Sequence, residues 1–368
     1  MTRPRIPFAA LTPGEDADDV RRAIDRVVAR GWFVLGPEVE QFEEQFAAAA
    51  GAAHAVGVGN GTDALMLILR ARGIGPGDEV ITTPLSAAFT ALAVSMTGAR
   101  PVFADIDPVR FTIDPAAIAA AIGPRTRAIL PVHLYGQAAD MTAIERLASR
   151  YNLPIVEDCC QAHLATEGGR PVGTIGVAGA FSFYPTKNLG AFGDGGAVVT
   201  NDRTLAERIK RLRNGGQTVS YNHQETGVNS RLDELQAAVL SARLPSLRRW
   251  TDRRRELAAR YRAALTGSRV GLPAECDAGH VYHLFVVRTA ERATLQAHLE
   301  AEGIQTLVHY PIPIPKQPAM APFAPAECPV AACVCREIVS LPLYPRMGND
   351  DVAAVADAVV RSHPQSER

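Results

Sequence analysis

A chain of 368 residues, 47% of them apolar and 21% charged, has the composition of an ordinary soluble globular protein and the length for about two or three domains. Its net charge of −1, with both signs dispersed along the chain, argues against a nucleic-acid partner and against an anionic membrane surface. No apolar run approaches the ~18 residues of a membrane span, and the opening MTRPRIPFAALTPGEDADD lacks the apolar core of a signal peptide, so we expect a cytoplasmic protein.

Alternating strand and helix patterns fill the first two thirds of the chain. In order, the strand patterns are HAVGVGN, DEVITTP, RPVFADID, TRAILPVHLYG and LPIVEDCCQA. The helix patterns that follow the first four are GTDALMLILRARG, SAAFTALAVSMTGA, DPAAIAAAIG and DMTAIERLASRYN. Strands separated by helices of about 10 to 15 residues predict βαβ units and a mostly parallel central sheet, buried on both faces. We therefore expect an α/β domain.

A long, charged helical pattern follows over residues 231–266, and Pro245 is expected to kink or divide it. Beyond it, a short strand pattern, VYHLFVVR, alternates with the helix patterns RATLQAHLEAEG and NDDVAAVADAVVRSH and a proline-rich loop, HYPIPIPKQP. These patterns predict a smaller α+β domain at residues 246–368. We expect this smaller domain to pack on a large domain at residues 1–245, which includes the N-terminal segment.

The six cysteines do not predict a metal site. None of their spacings gives a pair of Cys-x-x-Cys knuckles, and the three thiols in CPVAACVC have no spaced partner with which to close a tetrahedral shell. In a reducing compartment they are expected to be free thiols.

The stretch GVGNGTDAL predicts an anion site. In an open α/β sheet, ligands bind beyond the carboxyl ends of the strands. A turn at Asn60 and Gly61 followed at once by a helix presents free backbone N–H groups, with the Thr62 hydroxyl, at the positive end of the helix dipole. Ordinary helix capping by Asn60 or Thr62 is the alternative interpretation.

A second strand end, IVEDCCQAH, presents Asp158 and Gln161. A carboxylate at a buried strand end needs a partner to stay ionised, and a protonated ring nitrogen would be one. Gln161, three residues further on, could donate to a second atom of the same ligand. The alternative is that Asp158 caps the next helix.

The stretch FSFYPTKNLGAFGDGGAVVTND contains Lys187, one of three lysines in a chain with thirty-five arginines. Only the amine of a lysine can lose its proton near neutral pH and form a Schiff base. An ordinary solvated loop lysine is the alternative. A phosphate-binding helix end, a strand-end aspartate and an isolated lysine in a glycine-rich loop are together the three contacts that a pyridoxal phosphate site requires.

At these residues the chain resembles the sugar aminotransferases of the DegT/DnrJ/EryC1/StrS family, which have the fold-type I aminotransferase architecture. The resemblance extends almost from end to end, through the motifs GWFVLGPEVEQFEEQFA, GVGNGTDAL, PVHLYGQAADM, IVEDCCQAH, FSFYPTKNLGAFGDGGAVVTND, GVNSRLDELQAAVL and HYPIPIPKQPAM. It implies that Lys187 forms a Schiff base with pyridoxal 5'-phosphate, and that pyridoxamine phosphate is the intermediate form of the cofactor.

The same resemblance implies a role for each matching residue. Asp158 pairs with the pyridine nitrogen, Gln161 hydrogen-bonds the ring oxygen and Phe89 stacks on the ring. The phosphate is held by Gly61, Thr62 and Ser182. Asn229 matches a position that reaches the phosphate from the neighbouring subunit, so the resemblance implies a homodimer with shared active sites.

The chain departs from the family pattern at a few positions around these motifs. Small residues are common in the family where Cys159 and Cys160 stand, glycine where Leu164 stands, and threonine where Ala88 precedes Phe89. None of these changes removes a cofactor contact.

The resemblance also implies the substrates: a nucleotide-linked 6-deoxy keto sugar as acceptor and L-glutamate as donor. The motifs PVHLYGQAADM, YNHQETGVNSRLDELQAA and HYPIPIPKQP are most similar to members that aminate C3 of thymidine-diphosphate-linked 3-keto-6-deoxyhexoses. Aromatic rings that pack on sugar faces make Tyr184, Tyr221, His309 and Tyr310 candidate substrate contacts, with packing roles as the alternative. Arg231 could pair with the donor carboxylate, with the diphosphate, or with Glu234 on its own helix.

Five other functions compete with this interpretation. Some family members are dehydratases with histidine at the lysine position, which Lys187 argues against. A 4-keto-sugar or a cyclitol aminotransferase would use the same cofactor residues. A catalytically inactive cofactor-binding regulator would be expected to have lost part of the set. A dinucleotide-dependent oxidoreductase would need a third glycine after GVGNGT, where Asp63 begins a helix instead.

Overall fold

The computed structural model describes residues 5–219, 221–323 and 325–362. Over these residues the α-helices are α1 Ala17–Arg30, α2 Pro37–Ala50, α3 Gly61–Ala71, α4 Phe89–Met96, α5 Pro115–Ala121, α6 Met141–Tyr151, α7 Arg203–Leu212, α8 Glu234–Arg243, α9 Leu247–Leu265, α10 Arg292–Ala301, α11 Pro329–Glu337 and α12 Asn349–Arg361. None of these helices is both long enough and apolar enough to cross a membrane.

The strands are β1 His54–Val58, β2 Glu79–Thr82, β3 Arg100–Phe103, β4 Thr126–Leu130, β5 Val156–Asp158, β6 Thr166–Glu167, β7 Arg170–Pro171, β8 Ala178–Ser182, β9 Gly196–Thr200, β10 Gln217–Val219, β11 Asn222–His223, β12 Phe285–Arg288 and β13 Ile338–Leu341. Strands β3, β2 and β4 lie side by side in that order and are parallel, and parallel bridges join β4 to β5. From there the order is β5-β8-β9-β1, in which β9 runs antiparallel to both of its neighbours. The prediction of a mostly parallel sheet is confirmed.

The central sheet is buried on both faces because alternate strand residues enter different cores. Val80 packs in one core with α3 and α7, whereas Ile81 packs in another with α5 and α6. In the same way Val198 faces α3, and Val199 faces the core that contains α2 and α8. Successive side chains of a strand point to opposite faces, so this alternation requires helices on both sides of the sheet.

The C-terminal elements form a separate apolar core around the antiparallel pair β12–β13, covered by α9, α10 and α12. Pro245 divides the long helical pattern as expected: α8 ends at Arg243, a short 3₁₀ turn spans Leu244–Ser246, and α9 begins at Leu247. Ile6 forms a bridge with Ile304 and packs in this C-terminal core, so the start of the chain lies against the second unit.

Candidate active site

The carboxyl ends of the sheet strands border a cavity of about 320 Å³, which collects side chains from motifs far apart in the sequence. Ten of the residues predicted from the sequence line it: Gly61, Thr62, Phe89, Asp158, Gln161, Ser182, Tyr184, Lys187, His309 and Tyr310. Chains of this architecture bind ligands at this edge, so the cavity is the candidate active site.

The start of α3 forms one end of the cavity. Asn60 Oδ1 accepts from the Asp63 N–H at 2.8 Å, so the capping interpretation is right for Asn60. The N–H groups of Gly61 and Thr62 still have no acceptor among the described residues. A Cβ at Gly61 would lie 2.6 Å from Cys160 Sγ and 2.9 Å from Ser182 Cβ, so only glycine fits here. Free N–H groups at a positive helix end fit a phosphate.

Asp158 ends β5 with its side chain on the cavity wall and is only 4% exposed. Oδ2 accepts a hydrogen bond from Thr90 Oγ1 at 2.7 Å, and Oδ1 accepts from the Cys160 N–H at 3.1 Å. No helix begins between Asp158 and Thr166, all of which are described, so the alternative that Asp158 caps a helix is wrong. Two donors leave lone pairs free, so this carboxylate can accept from a ring N–H in the cavity.

Gln161 is held in one orientation by two neighbours. Its Oε1 accepts from the Tyr135 N–H at 2.8 Å, and its Nε2 donates to Tyr310 Oη at 3.0 Å. An amide nitrogen carries two hydrogens, so one N–H of Gln161 remains for a ligand. Nearby Leu164 has a left-handed backbone with φ of 65°, a conformation that glycine adopts more readily than leucine.

Lys187 lies in the loop between β8 and β9, where its own N–H donates to the Tyr184 carbonyl at 2.8 Å. No carboxylate of a described residue lies within ion-pair distance of its amine. Burial lowers the pKa of the Lys187 amine below its ordinary 10.5, against the opposing effect of Cys160 and Asp158. A larger fraction of the amine is therefore unprotonated and nucleophilic near neutral pH.

Aromatic residues border the mouth of the cavity. Phe89 and Tyr184 are 63% and 53% exposed, so their rings are accessible to a ligand. His309 stacks on Phe8 with ring centroids 5.6 Å apart, and its Nδ1 is 2.9 Å from Ser340 Oγ. Burial, helped by the charge of Lys187, lowers the pKa of His309 to about 4, so its ring is neutral.

Three residues of the predicted set lie outside the cavity of this chain. Tyr221 is 94% exposed on the β10–β11 hairpin, and Asn229, eight residues further along the chain, is exposed as well. Arg231 donates to Asn214 Oδ1 at 3.1 Å. Its pairing with Glu234 is wrong, because the carboxylate of Glu234 is taken by N–H groups at the start of α2.

Sequence reasoning missed Thr90 and His283, which also line the cavity. Thr90 follows Phe89 directly, so its place at the start of a helix after a strand could have suggested it. His283 comes immediately before β12 in the distant motif VYHLFVVR, and no local signal assigns it to this site.

A second cluster, formed by His133, Glu157 and Cys159, has metal-ligand chemistry, with its donor atoms within 4.8 Å of one another. The Glu157 carboxylate is already occupied by His133 Nε2 at 3.0 Å and by three main-chain N–H groups at residues 173, 175 and 176. His133 Nδ1 in turn accepts from the Ala139 N–H. These hydrogen bonds assign the cluster to holding the loop before β8 in place.

Comparison with known proteins agrees with this geometry. The model of the DegT/DnrJ/EryC1/StrS aminotransferase family matches residues 15–360. The dTDP-3-amino-3,4,6-trideoxy-alpha-D-glucose transaminase of Streptomyces venezuelae is 50% identical, over 97% of this chain and 96% of the relative. The dTDP-3-amino-3,6-dideoxy-alpha-D-galactopyranose transaminase of Aneurinibacillus thermoaerophilus is 48% identical, over 93% of this chain and 95% of the relative. A Geobacillus stearothermophilus relative named pleiotropic regulatory protein is 45% identical, over 93% of each chain.

Among solved structures, that of S. venezuelae DesV in complex with a ketimine intermediate superposes with a TM-score of 0.96. The two sequences are 49% identical, and the match covers 99% of this chain and 100% of DesV. The family model and these relatives cover nearly the whole chain, cofactor motifs included. The chain therefore belongs to the DegT/DnrJ/EryC1/StrS family of pyridoxal phosphate-dependent aminotransferases.

Proposed function

We propose that the chain transfers the amino group of L-glutamate to C3 of a thymidine-diphosphate-linked 3-keto-6-deoxyhexose. The observation that carries the proposal is the meeting, in one cavity of about 320 Å³, of the Lys187 amine, the Asp158 carboxylate and the free N–H groups at the start of α3. The choice of C3 is supported by two relatives named for 3-amino sugars, which are 50% and 48% identical to this chain.

Each residue has a defined task in this proposal. Bound pyridoxal phosphate supplies an acceptor for the electrons released when the donor loses its Cα proton. The Lys187 amine would bind the cofactor and, when not bonded to it, would take up the donor's Cα proton as base and return it as acid. Asp158, oriented by Thr90, holds a proton on the ring nitrogen. Gly61, with Thr62 and Ser182, holds the phosphate.

The substrate assignment is tested with a panel of keto sugars. Purified enzyme, cofactor and L-glutamate are incubated separately with 3-keto and 4-keto forms of dTDP-linked and UDP-linked 6-deoxyhexoses and with a keto cyclitol, and 2-oxoglutarate release is measured. The proposal predicts kcat/KM at least about a hundredfold higher for the dTDP-linked 3-keto sugar, because misplacing the reacting carbon by one ring position removes the productive geometry. Preference for a 4-keto sugar or for a keto cyclitol would contradict the proposal and support the alternative function, a 4-keto-sugar or cyclitol aminotransferase.

We also propose that the active site is shared within a homodimer. Asn229 and Tyr221 are exposed on this chain, and the segment Trp32, Phe33 and Val34 presents three large apolar side chains to solvent. Exposed apolar surface of this kind is typical of an interface, and a twofold partner would bring its own Asn229 to the neighbouring phosphate.

Complementation tests the shared site. Lys187→Ala and Asn229→Ala subunits, whose separate activities are measured first and subtracted, are unfolded, mixed in equal amounts and refolded together. If the two residues belong to one site supplied by different chains, half of the dimers are hybrids with one intact site, so activity returns to about a quarter of the wild-type value. No recovery, with light scattering that still shows dimers, would mean that both residues serve the same chain's site.

Two further expectations remain proposals. We propose that the boundary between the large and the small domain lies between residues 245 and 246. Ile6 belongs to the N-terminal segment but packs in the C-terminal core, so this segment contacts the small domain. A regulator without turnover is the second candidate function, since one relative carries a regulatory name. Turnover of L-glutamate in the keto-sugar panel would exclude it.

A further inference from the structure

The L-glutamate proposed as donor carries two carboxylates, and the candidate active site offers no arginine to bind either of them. Among the described residues that line it, Lys187 is the only lysine or arginine. The rings of His283 and His309 are neutral near pH 7, because burial lowers the pKa of both. Guanidinium groups are the common partners of carboxylates, so an arginine for the donor has to lie beyond this lining.

A second cavity, of about 130 Å³, adjoins the first, and four residues border both: Thr186, Lys187, His283 and His309. Two arginines, Arg243 and Arg254, line the second cavity, and its described lining contains no Asp or Glu. Because Lys187 stands in the shared wall, an amino acid whose amine lies beside Lys187 is next to this second cavity.

The two arginines differ in their partners. Arg243 Nε donates to Asp16 Oδ2 at 2.9 Å, and its Nη1 donates to the Gly190 carbonyl. Arg254 is only 6% exposed, and no carboxylate of a described residue lies within ion-pair distance of it. Burial alone lowers the pKa of Arg254 to about 10, so the group is still charged at neutral pH. A buried charge without a counter-charge is costly.

The hydrogen bonds of Arg254 leave one of its nitrogens available. Nη1 donates to the carbonyls of Tyr282, His283 and Leu343, at 3.3, 3.3 and 2.8 Å. Nε has no acceptor among the described residues and is enclosed by protein. Nη2 has no acceptor there either but is not enclosed, so its N–H groups can donate to a ligand in the cavity that Arg254 lines.

Apolar side chains form part of the wall of the second cavity: Phe8, Leu11, Leu284, Leu307 and Leu343. Apolar walls around one guanidinium suit a short aliphatic chain that ends in a carboxylate. The side chain of glutamate, two methylenes and a γ-carboxylate, is such a chain.

We propose that the second cavity is the subsite for the donor side chain, in which Arg254 Nη2 binds the γ-carboxylate of L-glutamate. The inference rests on the proposed function, because it names the residue by which the same site selects its donor. The γ-carboxylate supplies the counter-charge that Arg254 lacks, while Nη1 keeps its bonds to the segments before β12 and after β13. A donor without a side-chain carboxylate gains no such interaction.

Donor selectivity tests the subsite. Enzyme loaded with pyridoxal phosphate is mixed with L-glutamate or with L-norvaline, which has a methyl group in place of the γ-carboxylate, and the loss of Schiff-base absorbance is followed. Arg254→Met should lower kcat/KM about thirtyfold for L-glutamate, mainly through KM, and less than about threefold for L-norvaline. Arg254→Lys, which keeps a charge, should fall between wild type and Arg254→Met. Arg253→Met, on the same helix but outside both cavities, should leave the ratio of the two donors unchanged.

Equal losses for the two donors in Arg254→Met would overturn the subsite, because they would mean that Arg254 acts only through its bonds to the three carbonyls. Unchanged values for both donors would overturn it as well. A second measurement needs no variant: calorimetric titration of the loaded wild type with glutarate and with butyrate, neither of which has an amine that can react. Glutarate, with its second carboxylate, should bind at least about tenfold more tightly, and equal affinities would overturn the subsite.

The two proposals fail in different ways. If the wild type responds to no amino acid, or prefers L-norvaline to L-glutamate, the proposed donor is lost, and the subsite is lost with it. If L-glutamate is the preferred donor and the Arg254 variants keep the wild-type ratio of the two donors, only the subsite is lost.

Discussion

The buried carboxylate of Glu234 joins two helices, and its removal is expected to destabilise the fold strongly. Glu234 begins α8 and is 0% exposed. It accepts from the N–H groups of Gly36 at 2.8 Å, Glu38 at 3.0 Å and Val39 at 2.9 Å. Without Glu234 these donors at the start of α2 would have no partner, because the N-cap residue, Gly36, has no side chain to satisfy them.

The magnitude follows from the number and kind of these hydrogen bonds. A hydrogen bond to a charged group contributes about 1.5–3 kcal/mol, and water entering the space left by alanine recovers part of the loss. Glu234→Ala should therefore lower the free energy of unfolding by about 3–5 kcal/mol. Glu234→Gln keeps one oxygen acceptor and should cost about half as much. Glu256→Ala, which removes an exposed ion pair with Arg253, should cost less than about 1 kcal/mol.

Urea unfolding followed by circular dichroism measures these differences, with the slope m compared between variants to confirm that the unfolded states are alike. A loss below about 1 kcal/mol for Glu234→Ala would refute the reasoning, because it would mean that water satisfies the start of α2 as well as the carboxylate does. A loss as large for Glu234→Gln would show that charge, and not acceptor count, decides the effect.

Three shorter predictions concern the site and its supports. Gly61→Ala places a Cβ 2.9 Å from Ser182 Cβ, so pyridoxal phosphate affinity should fall at least about tenfold in a fluorescence titration, with little change in circular dichroism. His163 has a pKa lowered to about 3 by burial. Between pH 3 and 6.5 this histidine is protonated in the unfolded chain but not in the folded chain, so the free energy of unfolding falls as the pH drops through that range. His163→Phe should therefore make the midpoint of urea unfolding depend less on pH. Gly216→Ala, whose Cβ would lie 1.7 Å from the Glu225 carbonyl oxygen at a φ of +77°, should make the β10–β11 hairpin more susceptible to limited proteolysis.

The sequence predicted which motifs meet at the cavity because each of them is local. The start of a helix after Asn60 and Gly61, the end of a strand at Asp158 and a rare lysine in a glycine-rich loop are features of a few neighbouring residues, and the topology of a parallel sheet brings such ends to one edge. The division of the long helical pattern at Pro245 is predictable for the same reason, since proline acts on its own turn.

Contacts between distant segments could not be predicted from local patterns. Spacing alone made Arg231 and Glu234 partners on one helix, but α8 begins only at Glu234, and the start of α2 takes that carboxylate. The place of His283 in the cavity wall depends likewise on packing between distant segments of the chain. Such pairings follow from tertiary structure, which no local pattern encodes.

The central claim is that Lys187 binds pyridoxal phosphate and that the bound cofactor takes the amino group of L-glutamate. The most direct test is a visible absorption spectrum of the wild type, of Lys187→Ala and of a control, Lys210→Ala. The control removes a different lysine, which lies on α7. The account predicts a long-wavelength Schiff-base band in the wild type and in the control, and no such band in Lys187→Ala. Addition of L-glutamate should replace this band with the pyridoxamine phosphate spectrum. A band that persists in Lys187→Ala at equal intensity, or a wild-type spectrum that no amino acid changes, would contradict it.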